Sequence, residues 1–450
     1  MLKSACVHLL HALKTISAAA LFASVVAAPV LYAQPTAPAA PATPATLSLA
    51  EAQRLAVARS QQLVAQDSMI ASAREMAVAA GQLPDPVLKL GVDNVPVNGT
   101  DRFSLGTDFM TMRRVGVMQE ITRGDKRRLK SERYEREANR AVTEKAAATA
   151  EVQKFTALAW LDRYYLERLR NSVAAQADET KLEIEAAEGA YRAGRGSQAD
   201  IFTARSSRAA LDDRLSELDR RIRNARAMLA RWVGTAAEAA LAGEPALKTV
   251  PFTLHAIDED LKRHPEIAML QRQVEVAETE VQLAKANKQT DWSVEVAYQE
   301  RGPAFSNMVS IGVAIPLQWD QKNRQDREVA AKLALTERAK AQQEDALRNH
   351  VAEVRTMFNE WENGLERIAR YERELLPLAH ERTQAALAAY RGGKSDLNAV
   401  LGARKNEIEI RTQAVQLAMD TARAWAQLNF LVPEEDHSTH IDPAAAKETK

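Results

Sequence analysis

Apolar residues recur at spacings of three and four over two unusually long stretches of the chain. Leu158, Leu161, Tyr165, Leu169 and Val173 mark the first, and Val351, Val354, Phe358, Trp361, Leu365 and Ile368 mark the second. Such a seam turns one stripe of each helix towards a neighbour, as in a coiled coil. The spacing predicts helices over residues 125–192 and 322–391, each reaching roughly 100 Å at 1.5 Å per residue. Pro377 interrupts the second, which is expected to be kinked or split where the proline opens a new helical segment. Each long helix ends in a Gly-containing turn and a return helix (residues 199–232 and 397–430). Each is preceded by an amphipathic helix, residues 48–82 and 257–289.

The period changes to two in four short segments, which predicts strands at about 86–95, 113–121, 292–299 and 308–317. One face of the first hairpin collects Leu88, Leu90, Val92, Val115 and Val117. One face of the second collects Trp292, Val294, Val296, Tyr298, Val309, Ile311, Val313 and Ile315. Alternation with aromatics at the ends of the apolar face is the pattern of a strand exposed to lipid. A half-buried strand of a soluble sandwich reads the same way. Two hairpins set apart between long polar helices leave such a sandwich no further strands. Four strands cannot close a barrel, and an open edge in lipid would leave backbone groups unpaired. Several chains must then contribute to one barrel, and three would give twelve strands.

The chain repeats itself once, in units spanning residues 47–245 and 250–432. Ala190-Tyr191-Arg192-Ala193-Gly194-Arg195 answers Ala389-Tyr390-Arg391-Gly392-Gly393-Lys394, and the register holds to Leu229 against Leu428. Earlier in each unit Gly116-Val117 answers Gly312-Val313, and Lys126 and Arg128 answer Lys322 and Arg324. The fold class expected is mainly α with a small β part: a long-helix barrel plus a β-barrel shared between protomers.

Bulk charge adds no pull towards nucleic acid or an anionic membrane surface, because 60 Lys and Arg balance 60 Asp and Glu. The N-terminus sets the compartment. Lys3 and Lys14 precede an apolar run that closes in Leu31-Tyr32-Ala33, so residues 1–33 read as a signal peptide cut before Gln34, with an uncleaved anchor as the alternative. Cys6 is the single cysteine and falls within it, leaving a mature chain without thiols and without a lipid-anchor cysteine. Residues 34–46 form a Pro/Ala linker and residues 433–450 a polar tail expected to be disordered.

No phosphate-cradling loop, nucleophile elbow or paired catalytic carboxylates stand out, so no catalytic residue, cofactor or metal site is expected. Met110, Met112 and Met118 carry thioethers suited to Cu(I), but strand and loop packing explains them more simply. His437 and His440 in the tail read as solvated. The many acidic residues read as solvated helix faces paired with Lys and Arg.

Taken together, the duplicated plan, the two Tyr-Arg-x-Gly turns and the strand Gly312-Val313-Ala314-Ile315-Pro316-Leu317 running into a basic helix start resemble the TolC family of outer-membrane efflux proteins. The resemblance covers nearly the whole mature chain. Leu83-Pro84-Asp85-Pro86-Val87-Leu88 followed by Asp93-Asn94 is similar to its heavy-metal, Cus- and Czc-like branch. The resemblance implies a homotrimer with a twelve-stranded barrel in the outer-membrane lipid and a helical tunnel in the periplasm. It also implies a periplasmic membrane-fusion adaptor and an inner-membrane RND-type pump as partners. The adaptor would meet Tyr191, Gly194, Arg195, Gly196, Ser197 and Asp200 in the first turn, and Tyr390, Gly393, Lys394, Ser395 and Asp396 in the second. The same glycines also serve simply to reverse the chain. Some family members close the tunnel with acidic residues where this chain has Ala399 and Gly402; Asp396, slightly earlier, is either the gate or a helix N-cap. A periplasmic coiled-coil adaptor or scaffold would explain the rods but not the strands or the duplication. A secreted hydrolase lacks its nucleophile and metal motifs. The exported substrate is not legible in the chain.

Overall fold

The computed structural model describes residues 46–194, 196–251 and 264–431. The signal peptide, all but the last residue of the linker, the tail from 433, Arg195 and the first residues of the helix expected from 257 lie outside the described residues.

The first helix begins because Ser48 caps it. Its hydroxyl accepts from the Glu51 amide at 3.2 Å, and α1 runs Leu49–Arg59. The sequence predicts one helix over 48–82, but the structure breaks it at Ser60. That serine adopts an extended backbone and uses its own hydroxyl to cap α2, Gln61–Ala80, through the Leu63 amide. A serine offers the next turn a side-chain acceptor in place of a backbone one, and here that is enough to start a new helix.

Strands β2 (Val87–Asp93) and β3 (Met112–Ile121) follow a two-residue β1, Thr46–Leu47, and lead into α3, Gly124–Arg192, of 69 residues. α4 (Gln198–Val233) returns beside it, and a second two-residue strand, β4 (Ala240–Leu241), closes the first unit. The second unit repeats the order with α5 (Pro265–Ala286), β5 (Trp292–Glu300), β6 (Met308–Ala314), α6 (Gln325–Arg370), α7 (Leu376–Arg391) and α8 (Leu397–Asn429). The ends differ from expectation by a few residues. One clear difference is at β6, which stops at Ala314 rather than 317, because Pro316 has no amide to give to a ladder. Ile315 therefore lies just beyond the strand.

α6 and α7 are one rod. Tyr371–Leu375 forms a π turn between them, with the Leu376 amide bonded to the Tyr371 carbonyl five residues back. The backbone stays helical at Arg370, Tyr371, Leu375 and Leu376, so the proline widens the rod by one turn instead of splitting it.

The main core sits where the rods cross mid-length. Trp160, Leu161 and Tyr165 of α3 pack with Leu229 of α4, Val354, Phe358 and Trp361 of α6, and Trp425 and Leu428 of α8. Three indoles reach out of this core to hold the chain segments that enter and link the units. Trp160 Nε1 donates to the Leu47 carbonyl at 3.0 Å, Trp361 Nε1 to the Leu247 carbonyl at 2.8 Å, and Trp425 Nε1 to the Thr249 carbonyl at 2.8 Å. Leu47 also pairs in parallel with Leu241, joining β1 to β4. Trp160 with Leu47 and Trp361 with Leu247 are the same device used once in each repeat. These hooks and the small parallel pair were not legible in the strand pattern, which marks only four strands.

A buried indole–carbonyl bond contributes about 1 kcal/mol net, and more when its loss leaves a carbonyl unpaired. Trp361→Phe is expected to lower stability by about 1–2 kcal/mol and to speed proteolysis between Leu241 and Pro251. Urea denaturation followed by circular dichroism checks this; an unchanged midpoint would show that the hook holds nothing.

Candidate functional site

The four longer strands form one antiparallel sheet in the order β2-β3-β5-β6. β3 and β5, from different repeats, are its central pair, with Val117 opposite Val296 and Ile121 opposite Trp292. Leu88 stands in line with Val117, Val296 and Ile311, and Leu90 with Val115, Tyr298 and Val309. Directly paired residues share a face, so every apolar strand position expected on the outer face falls on one side. That side is open: Leu90 is 70% and Ile311 74% exposed, and Leu88, Val92, Val115, Val117, Trp292, Val296, Tyr298, Val309 and Val313 are exposed with them. Val294, on the same face, is half-buried. Ile315, beyond the strand, is exposed. A contiguous apolar face of this kind marks a surface that meets something other than water. From Trp292 to Tyr298 it spans roughly 20 Å at the usual strand rise.

The opposite face is charged and internally paired. Lys89 Nζ lies 2.7 Å from Glu295 Oε2, Arg114 pairs with Glu295, and Arg114 Nη1 lies 3.7 Å from Asp93 Oδ2. Three strands are thus tied by one carboxylate. Gly116 permits the central pair to close, since a Cβ there would stand 2.8 Å from the Ala297 Cβ. Met112 and Met118 share this polar face, and Met110 lies exposed in the preceding loop. The outer edges of β2 and β6 carry no partner strand among the described residues.

α3 starts three residues after β3 ends, and its other end lies roughly 100 Å away by helix rise. There the two predicted turns come together. Ala187 of α3, Ala204 of α4, Tyr390 of α7, and Leu397, Val400 and Leu401 of α8 form one small cluster behind them. In the first turn Gly194 has φ +66° and its amide bonds the Tyr191 carbonyl at 3.0 Å. In the second Gly393 has φ +69° and bonds the Tyr390 carbonyl at 3.0 Å. Both glycines adopt the left-handed conformation that ends a helix without strain. Ser197 and Asp200 form a reciprocal capping box at the start of α4, with Ser197 N donating to Asp200 Oδ2 at 2.8 Å. Asp396 caps α8 by accepting from the Ala399 amide at 2.9 Å. Tyr191, Gly194, Ser197, Gly393, Lys394 and Asp396 lie at the tip beside Gly196, Asp200, Tyr390 and Ser395, and Tyr191 is among the exposed side chains.

Behind the tip lies a group that the sequence reading missed, having assigned the acidic residues to solvated faces. Glu407 of α8 is almost fully buried. It meets Arg411 at 2.6 Å, His380 of α7 at 3.1 Å and Arg404 at 3.6 Å. Arg404 also reaches across to α3, 3.2 Å from Glu183 and in contact with Glu179. Burial raises the Glu407 carboxyl, but hydrogen bonds from Thr383, His380 and Arg411 outweigh it and hold the group below the usual range. At Glu183 burial wins over Arg404, and its carboxyl is raised. One arginine thereby ties the second repeat's return helix to the first repeat's rod.

Midway along the rods the rings of His264 and His350 approach to 4.2 Å. His264 Nδ1 accepts from the Glu266 amide, and burial together with His350 pushes its pKa down to about 4. Among the described residues no three His, Cys, Asp or Glu side chains are grouped to hold a metal ion, and no helix is long and apolar enough to cross a membrane.

No family model matches this sequence, and neither does any characterised protein by sequence. The fold does have solved counterparts. The outer-membrane channel OprN superposes with a TM-score of 0.73 at 16% identity, covering 86% of this chain and 90% of its own. The outer membrane protein VceC from Vibrio cholerae gives 0.70 at 20% identity, covering 85% and 95%. CusC, described for its folding and transmembrane channel formation, gives 0.72 at 13% identity, covering 85% and 91%. At these identities the likeness is one of fold. The chain has the mainly helical, few-stranded fold of the TolC-like outer-membrane channels.

Removing one partner of a buried ion group strands the others. Arg404→Ala is expected to cost about 3 kcal/mol, while Glu183→Gln costs less because burial already favours its neutral form. Denaturant midpoints for the two variants check the order; equal losses would contradict it.

Proposed function

We propose that this chain is one subunit of an outer-membrane channel in a tripartite efflux system. The observation that carries the reading is the sheet: apolar and open on one face apart from Gln119 and the Arg113–Glu300 pair, charged on the other, and unpaired at both edges among the described residues. In this reading three copies join β6 of one to β2 of the next, closing twelve strands with the apolar face in lipid and the Lys89–Glu295–Arg114 face inward. The long helices then form a tunnel into the periplasm. Their tips, with Tyr191, Gly194, Gly196, Ser197 and Asp200 beside Tyr390, Gly393, Lys394, Ser395 and Asp396, dock a periplasmic membrane-fusion adaptor linked to an inner-membrane RND-type pump, and Arg195, outside the described residues, is assigned to the same contact by its place in the sequence. The conduit is passive and needs no catalytic group. Residues 1–33 direct export and are removed, without lipidation. Asp396, one carboxylate per copy near the tip, is proposed to narrow the entrance as well as cap α8. Heavy-metal cations are the proposed cargo, supported by the resemblance of the 83–94 segment to the heavy-metal branch. The alternative is a periplasmic coiled-coil adaptor, which accounts for the rods and tip but leaves the open sheet face in water.

The test is the mass of detergent-extracted protein from outer-membrane fractions. Light scattering is expected to give three chains, and Ile311→Arg, which costs about 2–4 kcal/mol if the site faces lipid at mid-membrane, is expected to abolish that particle. A soluble periplasmic monomer would overturn the channel reading in favour of the adaptor.

Gly194→Pro and Gly393→Pro place a residue confined to negative φ at φ +66° and +69°. Crosslinking to the adaptor is expected to drop several-fold while the trimer mass stays the same, and wild-type crosslinking in both variants would contradict the docking assignment. In a deletion strain, the wild-type gene is expected to restore tolerance to one or more of copper, silver, zinc, cobalt and cadmium. Unchanged sensitivity to all five would remove metal as the cargo and leave the channel intact.

A further inference from the structure

The outward alternation of β6 does not stop with the strand. Val309, Ile311 and Val313 are followed at the same spacing by Ile315, Leu317 and Trp319, all exposed, and Trp319 reaches 87%. The ladder has ended at Ala314, so hydrogen bonding between strands does not keep this order. Two glutamines do. Gln318 Nε2 donates to the Asn287 carbonyl at 3.0 Å, and Gln321 Nε2 to the Lys288 carbonyl at 3.2 Å, fixing the segment against the end of α5. The bonds satisfy carbonyls past the last turn of that helix.

Lys322, Arg324 and Arg327 follow directly, exposed and without an ion pair among the described residues. Of the nearby acids, Asp320 accepts from Asn323 and Asp326 pairs with Lys288 at 2.7 Å, while Glu328 is exposed and makes no ion pair among the described residues, leaving three such cations against one carboxylate. The first repeat treats the matching positions differently. Lys126, matching Lys322, is buried against Asp291 at 2.8 Å, and Arg128, matching Arg324, pairs with Glu132 at 3.4 Å. Where Trp319 stands in the second repeat, the first has Arg123, paired with Asp125 at 3.3 Å. The fold can therefore satisfy these positions internally, and in the second repeat it leaves them open.

Apolar side chains, then an indole, then unpaired cations is the order of environments met on leaving a bilayer: hydrocarbon, interface, phosphate. We propose that residues 315–327 form a binding site for the headgroup of an anionic phospholipid, with Trp319 seated at the interface and Lys322, Arg324 and Arg327 taking the phosphate. The site occurs once per chain, in the second repeat. The inference rests on the membrane-channel reading of the sheet.

The test uses full-length mature protein reconstituted into phosphatidylcholine vesicles containing a minority of phosphatidylglycerol. Trp319 emission is isolated as wild type minus Trp319→Phe, and bromine-labelled forms of each lipid serve as quenchers. Phosphatidylglycerol at the site is expected to be enriched about threefold to tenfold over its bulk fraction, approaching full occupancy, since three cations at roughly a factor of five each exceed the ceiling that a minority lipid allows. The enrichment should vanish in a Lys322→Gln, Arg324→Gln, Arg327→Gln variant, and in the wild type when salt is raised to screen the charges, which serves if the triple variant does not assemble. Equal quenching by both lipids in the wild type overturns the site while the channel stands. Inserted protein whose Trp319 no lipid quenches also overturns it, because that residue would then be covered by a neighbouring copy. Protein that never enters the vesicles overturns the channel reading, and this inference with it.

Discussion

A sheet with mostly valine, leucine and isoleucine on one side and Lys89, Arg114, Asp93, Glu120 and Glu295 on the other has no single solvent that suits it. Water leaves the first face exposed, and lipid on both sides would strand the second. The charged face is settled within the chain, because Glu295 ties Lys89 and Arg114 across three strands. The apolar face is settled only by surroundings of its own kind. An unpaired strand edge costs several kcal/mol for each polar group in hydrocarbon, so the edges of β2 and β6 demand partners wherever that face is satisfied. In the proposed channel, oligomerisation and the direction in which each face points both follow from that conflict.

The helices answer a different demand, which is distance. α3 carries the chain from the sheet to the tip without interruption, and its alanines let neighbouring rods approach closely. Such rods bury little apolar area per residue, so they need fixing at intervals. The indole hooks do this at mid-length and the Arg404 group does it near the tip. Between them a second apolar cluster, with Leu166, Leu169 and Val173 of α3 against Leu218 and Ile222 of α4 and Ile408 of α8, packs the rods, beside surface ion pairs that each contribute about 0–1 kcal/mol.

Features set by local pattern were legible in the sequence. The alternation of Leu88, Leu90 and Val92 shows in the residues themselves, as do the glycine at each turn and the duplication that doubles every signal. What escaped depends on partners far along the chain. Nothing near Trp160 announces that its indole will meet the Leu47 carbonyl, because the acceptor is backbone and carries no side-chain signature. Glu407 and Glu183 look like any other acid in a helix rich in Glu, Lys and Arg. Only packing reveals that they are buried. The break at Ser60 turned on one hydroxyl competing with a backbone bond, a contest of about a kilocalorie that propensity does not decide.

The central pairing of the sheet also sets an order in time. β3 finds its partner β5 only after α3, α4 and α5 have been made, so the loop that must close is long and its entropy cost must be met by helix packing first. A chain released N-terminus first therefore holds α3, α4 and α5 before β3 can meet β5, while α6, α7 and α8 follow only after β6. The apolar face is thus divided between two hairpins, and its full width exists only once the chain between them has folded.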